Sequence, residues 1–157
     1  MTLSAGTRPT QSVGVVERVT IDASVWLAAL WAHEPGHAAA ARVLAEIDRQ
    51  HIRMVQPALF LPEVCGAVRR RTGREDTAAA LTDALLRSPL ITMSPLTLDV
   101  ATESAACAVR LGLRGADACY VATSRLEQTT LITLDLEVIE RSRVLIAVQS
   151  PADWLGR

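Results

Sequence analysis

The sequence predicts an α/β fold, a three-layer sandwich in which a central, mostly parallel five-stranded sheet is flanked by helices. Two observations carry that expectation. Short runs rich in Val, Ile and Thr alternate along the chain with longer segments whose apolar residues recur at helical spacing. Parallel strands need helical crossovers that cover both faces, and half of the residues are hydrophobic against 21% charged, enough to supply that cover.

Residues 1–16, with Ser, Thr and Gly prominent, are expected to form a disordered leader, and residues 17–157 a single domain. A first strand is expected over Glu17 to Ile21, followed directly by a helix over Ala23 to Trp31. His33-Glu34-Pro35-Gly36 makes a turn, His37 to Arg49 is Ala-rich with helical spacing, and Ile52 to Gln56 reads as the second strand. Pro57 to Leu61 then leads to a helix opened by Pro62, because a proline in the first turn lacks only an N–H that has no partner there. Gly73 closes it. Further helices are expected over Glu75 to Leu86, Leu96 to Leu111, Asp117 to Leu126 and Leu136 to Arg141, with strands over Leu90 to Met93, Thr130 to Leu134 and Val144 to Val148. Ligands of open parallel sheets bind beyond the carboxyl ends of strands, which draws attention to the residues after Ile21 and Leu134. Both are Asp.

Composition excludes several functions. A net charge of −1 gives no global field toward nucleic acid, so any RNA contact must be local. Aromatic residues make up 3%, few for a platform that stacks successive bases. The 16 cationic residues are all Arg, which argues against phosphatase and phosphotransfer sites that neutralise a phosphoryl group with Lys; Ser24 also stands where the common phosphatase pattern has a second Asp. Neither G-x-x-x-x-G-K nor G-x-G-x-x-G occurs. Cys65, Cys107 and Cys119 lack C-x-x-C spacing and are expected to be reduced, packed thiols. With no secretory or membrane-spanning run, a soluble, cytoplasmic protein is expected.

The candidate site is Asp22, Glu63, Asp117 and Asp135. Taken singly, each suits a helix terminus. Asp22 is placed as an N-cap, worth about 1 kcal/mol, Glu63 gains roughly 0.3–1 kcal/mol from the helix dipole, and Asp117 and Asp135 also precede or open helices. Capping does not explain why all four fall on what the alternation predicts is one edge of the sheet. Clustered carboxylates repel unless cations bind. Hard divalent ions such as Mg²⁺ or Mn²⁺ prefer oxygen ligands, and one or two of them would neutralise the cluster. Such ions serve phosphodiester hydrolysis by acidifying water and stabilising the leaving oxygen. Ser24 and Thr133 are polar neighbours of the acids, candidates to orient metal-bound water or a phosphate.

The stretches VTIDASVW (19–26), LPEVCGAVRRR (61–71), LRGADACYVATSRLEQTTLITLD (113–135) and SPADWL (150–155) resemble the PIN domain family, especially its small VapC-type toxin ribonucleases. The resemblance runs from about Arg18 to Leu155. It places the family's acidic set on Asp22, Glu63, Asp117 and Asp135, with Ser24 and Thr133 as hydroxyl companions. It further implies Mg²⁺ or Mn²⁺ dependence, RNA cleavage leaving a 5′-phosphate, a homodimer and a cognate antitoxin. The chain departs from the pattern in its long leader and in having no Lys for phosphate contact, a task that falls to Arg.

Arg69, Arg70 and Arg71, with Arg74, form the densest basic run, about two helical turns from the acids, and suit either the RNA backbone or a solvated helix end. Pro35-Gly36 separates His33 from His37 and argues against a shared metal-binding face. Trp26, Leu27, Leu30 and Trp31 offer more apolar surface than one core face needs, for packing or for a partner. The expected function is a metal-dependent ribonuclease, the toxin of a toxin–antitoxin pair. The alternatives are a non-toxin PIN nuclease and a non-catalytic module that binds RNA or a partner, against which the complete acidic set argues.

Overall fold

The computed structural model describes residues 17–157; the leader expected over residues 1–16 lies outside them. Along the chain come β1 (Arg18–Ile21), α1 (Ala23–Leu30), α2 (His37–Gln50), β2 (Arg53–Pro57), α3 (Phe60–Thr72), α4 (Glu75–Arg87) and β3 (Ile91–Ser94). There follow α5 (Leu98–Leu111), α6 (Gly115–Glu127), β4 (Thr130–Ile132), α7 (Leu136–Ser142), β5 (Val148–Gln149) and α8 (Pro151–Leu155). The five strands form one sheet in the order β3-β2-β1-β4-β5, and every neighbouring pair is parallel. The chain winds outward from β1 through β2 to β3, then returns to the other side of β1 for β4 and β5. Winding therefore reverses between β1 and β4, which opens a crevice beyond their carboxyl ends.

The pleat of each strand sends alternate residues to opposite faces and so builds two cores. Val19 and Ile21 of β1 and Ile132 of β4 join Val25, Val43, Ile47 and Trp154 on one face, beneath α1, α2 and α8. Leu131, adjacent to Ile132, enters the second core with Phe60, Val64, Leu85, Tyr120 and Val138 from α3, α4, α6 and α7. These are the three layers the alternation predicts.

Buried polar groups lock the central strands where the ladder ends. Gln56, fully buried, accepts the Ile21 N–H at 2.9 Å and donates to the Ile21 carbonyl at 2.8 Å. Its amide thus replaces a backbone pair at the strand end that carries Asp22. Thr20 Oγ1 donates to the Val55 carbonyl at 2.8 Å, a second tie between β1 and β2.

Several boundaries differ from the expected ones. The helix of Glu63 begins at Phe60, so that Pro62 falls within its first turn, where its missing N–H is harmless. α5 begins at Leu98 because Thr97 Oγ1 caps the Val100 N–H at 3.3 Å. β4 stops at Ile132, with Thr133 and Leu134 beyond it. The last strand is Val148–Gln149 rather than Val144 to Val148: the Leu145 and Ile146 N–H groups both bond the Ser142 carbonyl, holding that stretch in a turn. α8 was not expected as a helix, although Ser150-Pro151 has the residues of a start; Ser150 Oγ accepts from the Asp153 N–H at 3.1 Å, and Trp154 is thereby buried.

Candidate functional site

Asp22 stands between β1 and α1 in the N-cap position, yet its carboxylate makes no capping hydrogen bond. Its Oδ2 accepts from Ser24 Oγ at 2.7 Å and from Thr133 Oγ1 at 2.6 Å. Thr133 Oγ1 accepts in turn from the Asp135 N–H at 3.1 Å, and Ser24 Oγ from the Leu134 N–H at 3.3 Å. Two hydroxyls therefore tie the end of β1 to the segment after β4 and hold one carboxylate oxygen between them. Asp135 behaves differently. Its Oδ1 accepts from the Glu137 N–H at 2.8 Å and the Val138 N–H at 3.2 Å, a true cap on α7.

Glu63 lies half-buried in the first turn of α3, where Oε2 accepts the Tyr120 hydroxyl at 2.7 Å. Asp117 lies in the first turn of α6, three residues before Tyr120, a spacing that places both on neighbouring positions of one helix face. Burial raises the Glu63 pKa above the usual carboxylate value, the Tyr120 hydrogen bond opposes this, and the charges of Asp22 and Asp117 add to the rise. Asp117 is likewise raised, first by burial and then by Asp22 and Asp135, against the pull of Arg114. Burial, followed by the charge of Glu63, pushes Tyr120 far above its ordinary value, so its hydroxyl remains a neutral donor.

All four acids thus come from separate segments to the crevice between β1 and β4, near enough for the charge of one to shift another. No three acidic, His or Cys side chains among the described residues close on one point as a finished coordination shell. The donor chemistry nevertheless fits a hard divalent cation, because Glu63 and Asp117, raised by burial and by neighbouring carboxylates, are the kind of groups such an ion stabilises.

Of the basic run, Arg71 pairs with Glu34 and lies 4.2 Å from the centroid of the Trp31 ring, and Arg74 pairs with Asp76 at 2.6 Å. Arg69 and Arg70 are exposed on the last turns of α3. His37 uses Nδ1 to bond the Ala28 carbonyl at 2.8 Å, which ties the start of α2 to α1. The apolar stretch of α1 divides: Trp26 packs on Phe60 with ring centroids 5.5 Å apart, whereas Leu30 is 45% exposed. No helix of the described residues is long and apolar enough to cross a membrane.

Sequence reasoning missed Tyr120, Gln56 and Glu137. Tyr120 had a signal, as the sole Tyr of the chain and three residues from Asp117. Gln56, a polar residue closing an apolar strand, had a weaker one. Glu137 adds to the negative charge felt by Asp117, but in sequence it is one more acid in a helical first turn.

Residues 19–143, a stretch containing all four acids, match the family model of the PIN domain. Among solved structures, Mycobacterium tuberculosis VapC20, a sarcin–ricin loop cleaving toxin, aligns at 21% identity and a TM-score of 0.66, covering 78% of this chain and 93% of that one. PAE2754 from Pyrobaculum aerophilum aligns at 25% identity and a TM-score of 0.60, covering 90% and 96%. VapBC2 from Rickettsia felis, bound to a DNA fragment from its promoter, aligns at 10% identity and a TM-score of 0.64, covering 85% and 98%. No curated protein matches the chain. With the family model matched over most of its length, the chain belongs to the PIN domain family, and its α/β architecture matches the fold of these VapC structures.

Proposed function

We propose that this protein is a divalent-metal-dependent endoribonuclease and the toxin of a VapBC-like toxin–antitoxin pair, acting in the cytoplasm as a single-domain subunit of a homodimer. The observation that carries the nuclease reading is the convergence of the four acids at the crevice between β1 and β4, where burial and then the charges of Asp22, Asp117 and Asp135 raise Glu63 or Asp117. The toxin reading rests on the resemblance to VapC20 and VapBC2.

In this reading the four carboxylates would hold one or two Mg²⁺ or Mn²⁺ ions. When bound, such ions acidify an attacking water and neutralise charge on the leaving oxygen of a phosphodiester. Ser24 and Thr133 fix Asp22 through Oδ2, and Tyr120 fixes Glu63 through Oε2, so two of the four acids are oriented before any ion arrives. Arg69 and Arg70 supply positive charge to the RNA backbone.

Purified protein incubated with end-labelled RNA and Mn²⁺ should cleave it, EDTA should stop cleavage, and Asp117→Asn should abolish it. Cleavage that persists in Asp117→Asn assigns the activity to another site or another protein. Induction in growing bacteria should arrest growth, with rescue by a small neighbouring reading frame; normal growth at verified expression removes the toxin assignment but leaves the nuclease.

A further inference from the structure

A groove of about 630 Å³ lies between α1, the turn at Pro35, the side of α3 and Leu134, the second residue after β4. Ser24 and Leu134, whose hydroxyl and N–H meet beside Asp22, both line it, so the groove adjoins the acids through Ser24 although none of the four lines it. On α3 the wall continues through Ala67 and Arg70. Glu63, Ala67 and Arg70 are spaced by four and three residues and so follow one helix face, with Arg70 about 10 Å along the axis from Glu63. A basic side chain thus stands a short stretch of single strand away from the carboxylates.

Trp31 also lines the groove. The other aromatic rings, Trp26, Phe60, Tyr120 and Trp154, belong to the two cores. The Arg71 guanidinium lies over the Trp31 ring at 4.2 Å and is pinned by Glu34, which gives a planar pair held in place. Leu27 and Pro35 supply apolar contact beside it. Arg70 and Arg71 against Glu34 leave one excess positive charge in the lining. A flat, partly apolar and anionic occupant fits this chemistry, and its strand would run into the acidic crevice.

We propose that this groove is a nucleotide subsite, in which the base of a residue flanking the scissile phosphate stacks against the Trp31–Arg71 pair and its phosphate meets Arg70. The assignment rests on the ribonuclease reading above and adds to it a position-specific grip on the substrate.

The test uses an oligoribonucleotide with one mapped cleavage position and a series in which a single abasic residue replaces each nucleotide in turn. Wild-type kcat/KM should fall by about ten-fold or more at one position beside the cleaved bond, the loss expected for one stacked base. Trp31→Ala should lose a similar factor on the intact substrate and nothing further on that abasic one, and Trp31→Phe should recover most of the loss. Arg70→Ala should raise KM on every member of the series. Additive losses at all positions, or Trp31→Ala cleaving like wild type, overturn the proposal and leave the groove to a protein partner. If the wild type cuts no RNA at all, the ribonuclease reading fails separately, and anisotropy of the labelled oligonucleotide in EDTA decides the groove. Weaker binding by Trp31→Ala retains it as an RNA site; equal binding removes it.

Discussion

The two ends of the parallel sheet treat charge in opposite ways. At the amino ends of the strands, carboxylates meet cations: Glu17 pairs with Arg157 and Glu127 with Arg18, and nearby Glu46 with Arg49. Hydrogen bonds from Arg49 and Gln50 hold the Glu46 carboxyl down at about 2. At the carboxyl ends, Glu63 and Asp117 are raised, chiefly by burial and then by other carboxylates. Like charges left together at the winding reversal, without the partners that neutralise them at the other end, mark the place where a cation would be stabilised. Electrostatic strain thus separates the proposed site from the exposed ion pairs, which contribute little to stability.

The sharpest break in this comparison is catalytic. Asp22→Asn should reduce Mn²⁺-dependent RNA cleavage to background, whereas Glu46→Gln at the opposite end should leave it unchanged; equal losses would mean that the location of the carboxylate does not matter. Next in size is the strand lock. Gln56→Leu leaves the Ile21 N–H and carbonyl buried without the amide that pairs them, and urea unfolding should show a loss of about 2–4 kcal/mol. Little or no loss would show that β1 holds its end without the side chain.

Tyr120→Phe keeps the ring in its core and removes only the hydroxyl on Glu63. Titration with Mn²⁺ should show an affinity lower by about ten-fold, with the fold intact; unchanged affinity would make Tyr120 a packing residue alone. The smallest effect is on pH dependence. Glu63 and Asp117 have folded-state pKa values above their unfolded ones, so the folded protein binds more protons in the window between the two. Their contribution to folding therefore becomes less favourable as pH rises through the raised values. Glu46 runs the other way, stabilising above its ordinary 4.5 and losing that contribution as pH falls toward about 2. In EDTA, unfolding midpoints followed from about pH 4 to about pH 7 should show a decline with rising pH that Glu63→Gln flattens. An unaltered slope in that variant would remove Glu63 from the strained set.

The alternation of apolar periods was legible in the sequence because local spacing dictates which face of each element is buried, and the sheet with its two helical layers follows from it. Asp22, Glu63, Asp117 and Asp135 were legible as candidates because each stands after a strand or in the first turn of a helix, on what the alternation predicts is one edge of the sheet. The short ends were less so. β5 is two residues long because Leu145 and Ile146 are held in a turn on the Ser142 carbonyl and Ser150 caps the helix that follows, limits that Val144 to Val148, rich in apolar residues, does not reveal.

The sequence by itself determined the fold class, the residue types at the crevice and the absence of Lys, since each depends on local pattern or on composition. Only the tertiary structure decided what each acid does. Asp22 and Asp135 look alike in sequence, each before a helix, yet Asp135 caps its helix while Asp22 is held by Ser24 and by Thr133, 111 residues away. The groove likewise exists only after α1, the turn at Pro35 and α3 have packed together. Hydrogen bonds and the influence of one charge on another act through space, and the chain spacing of their partners carries no record of that distance.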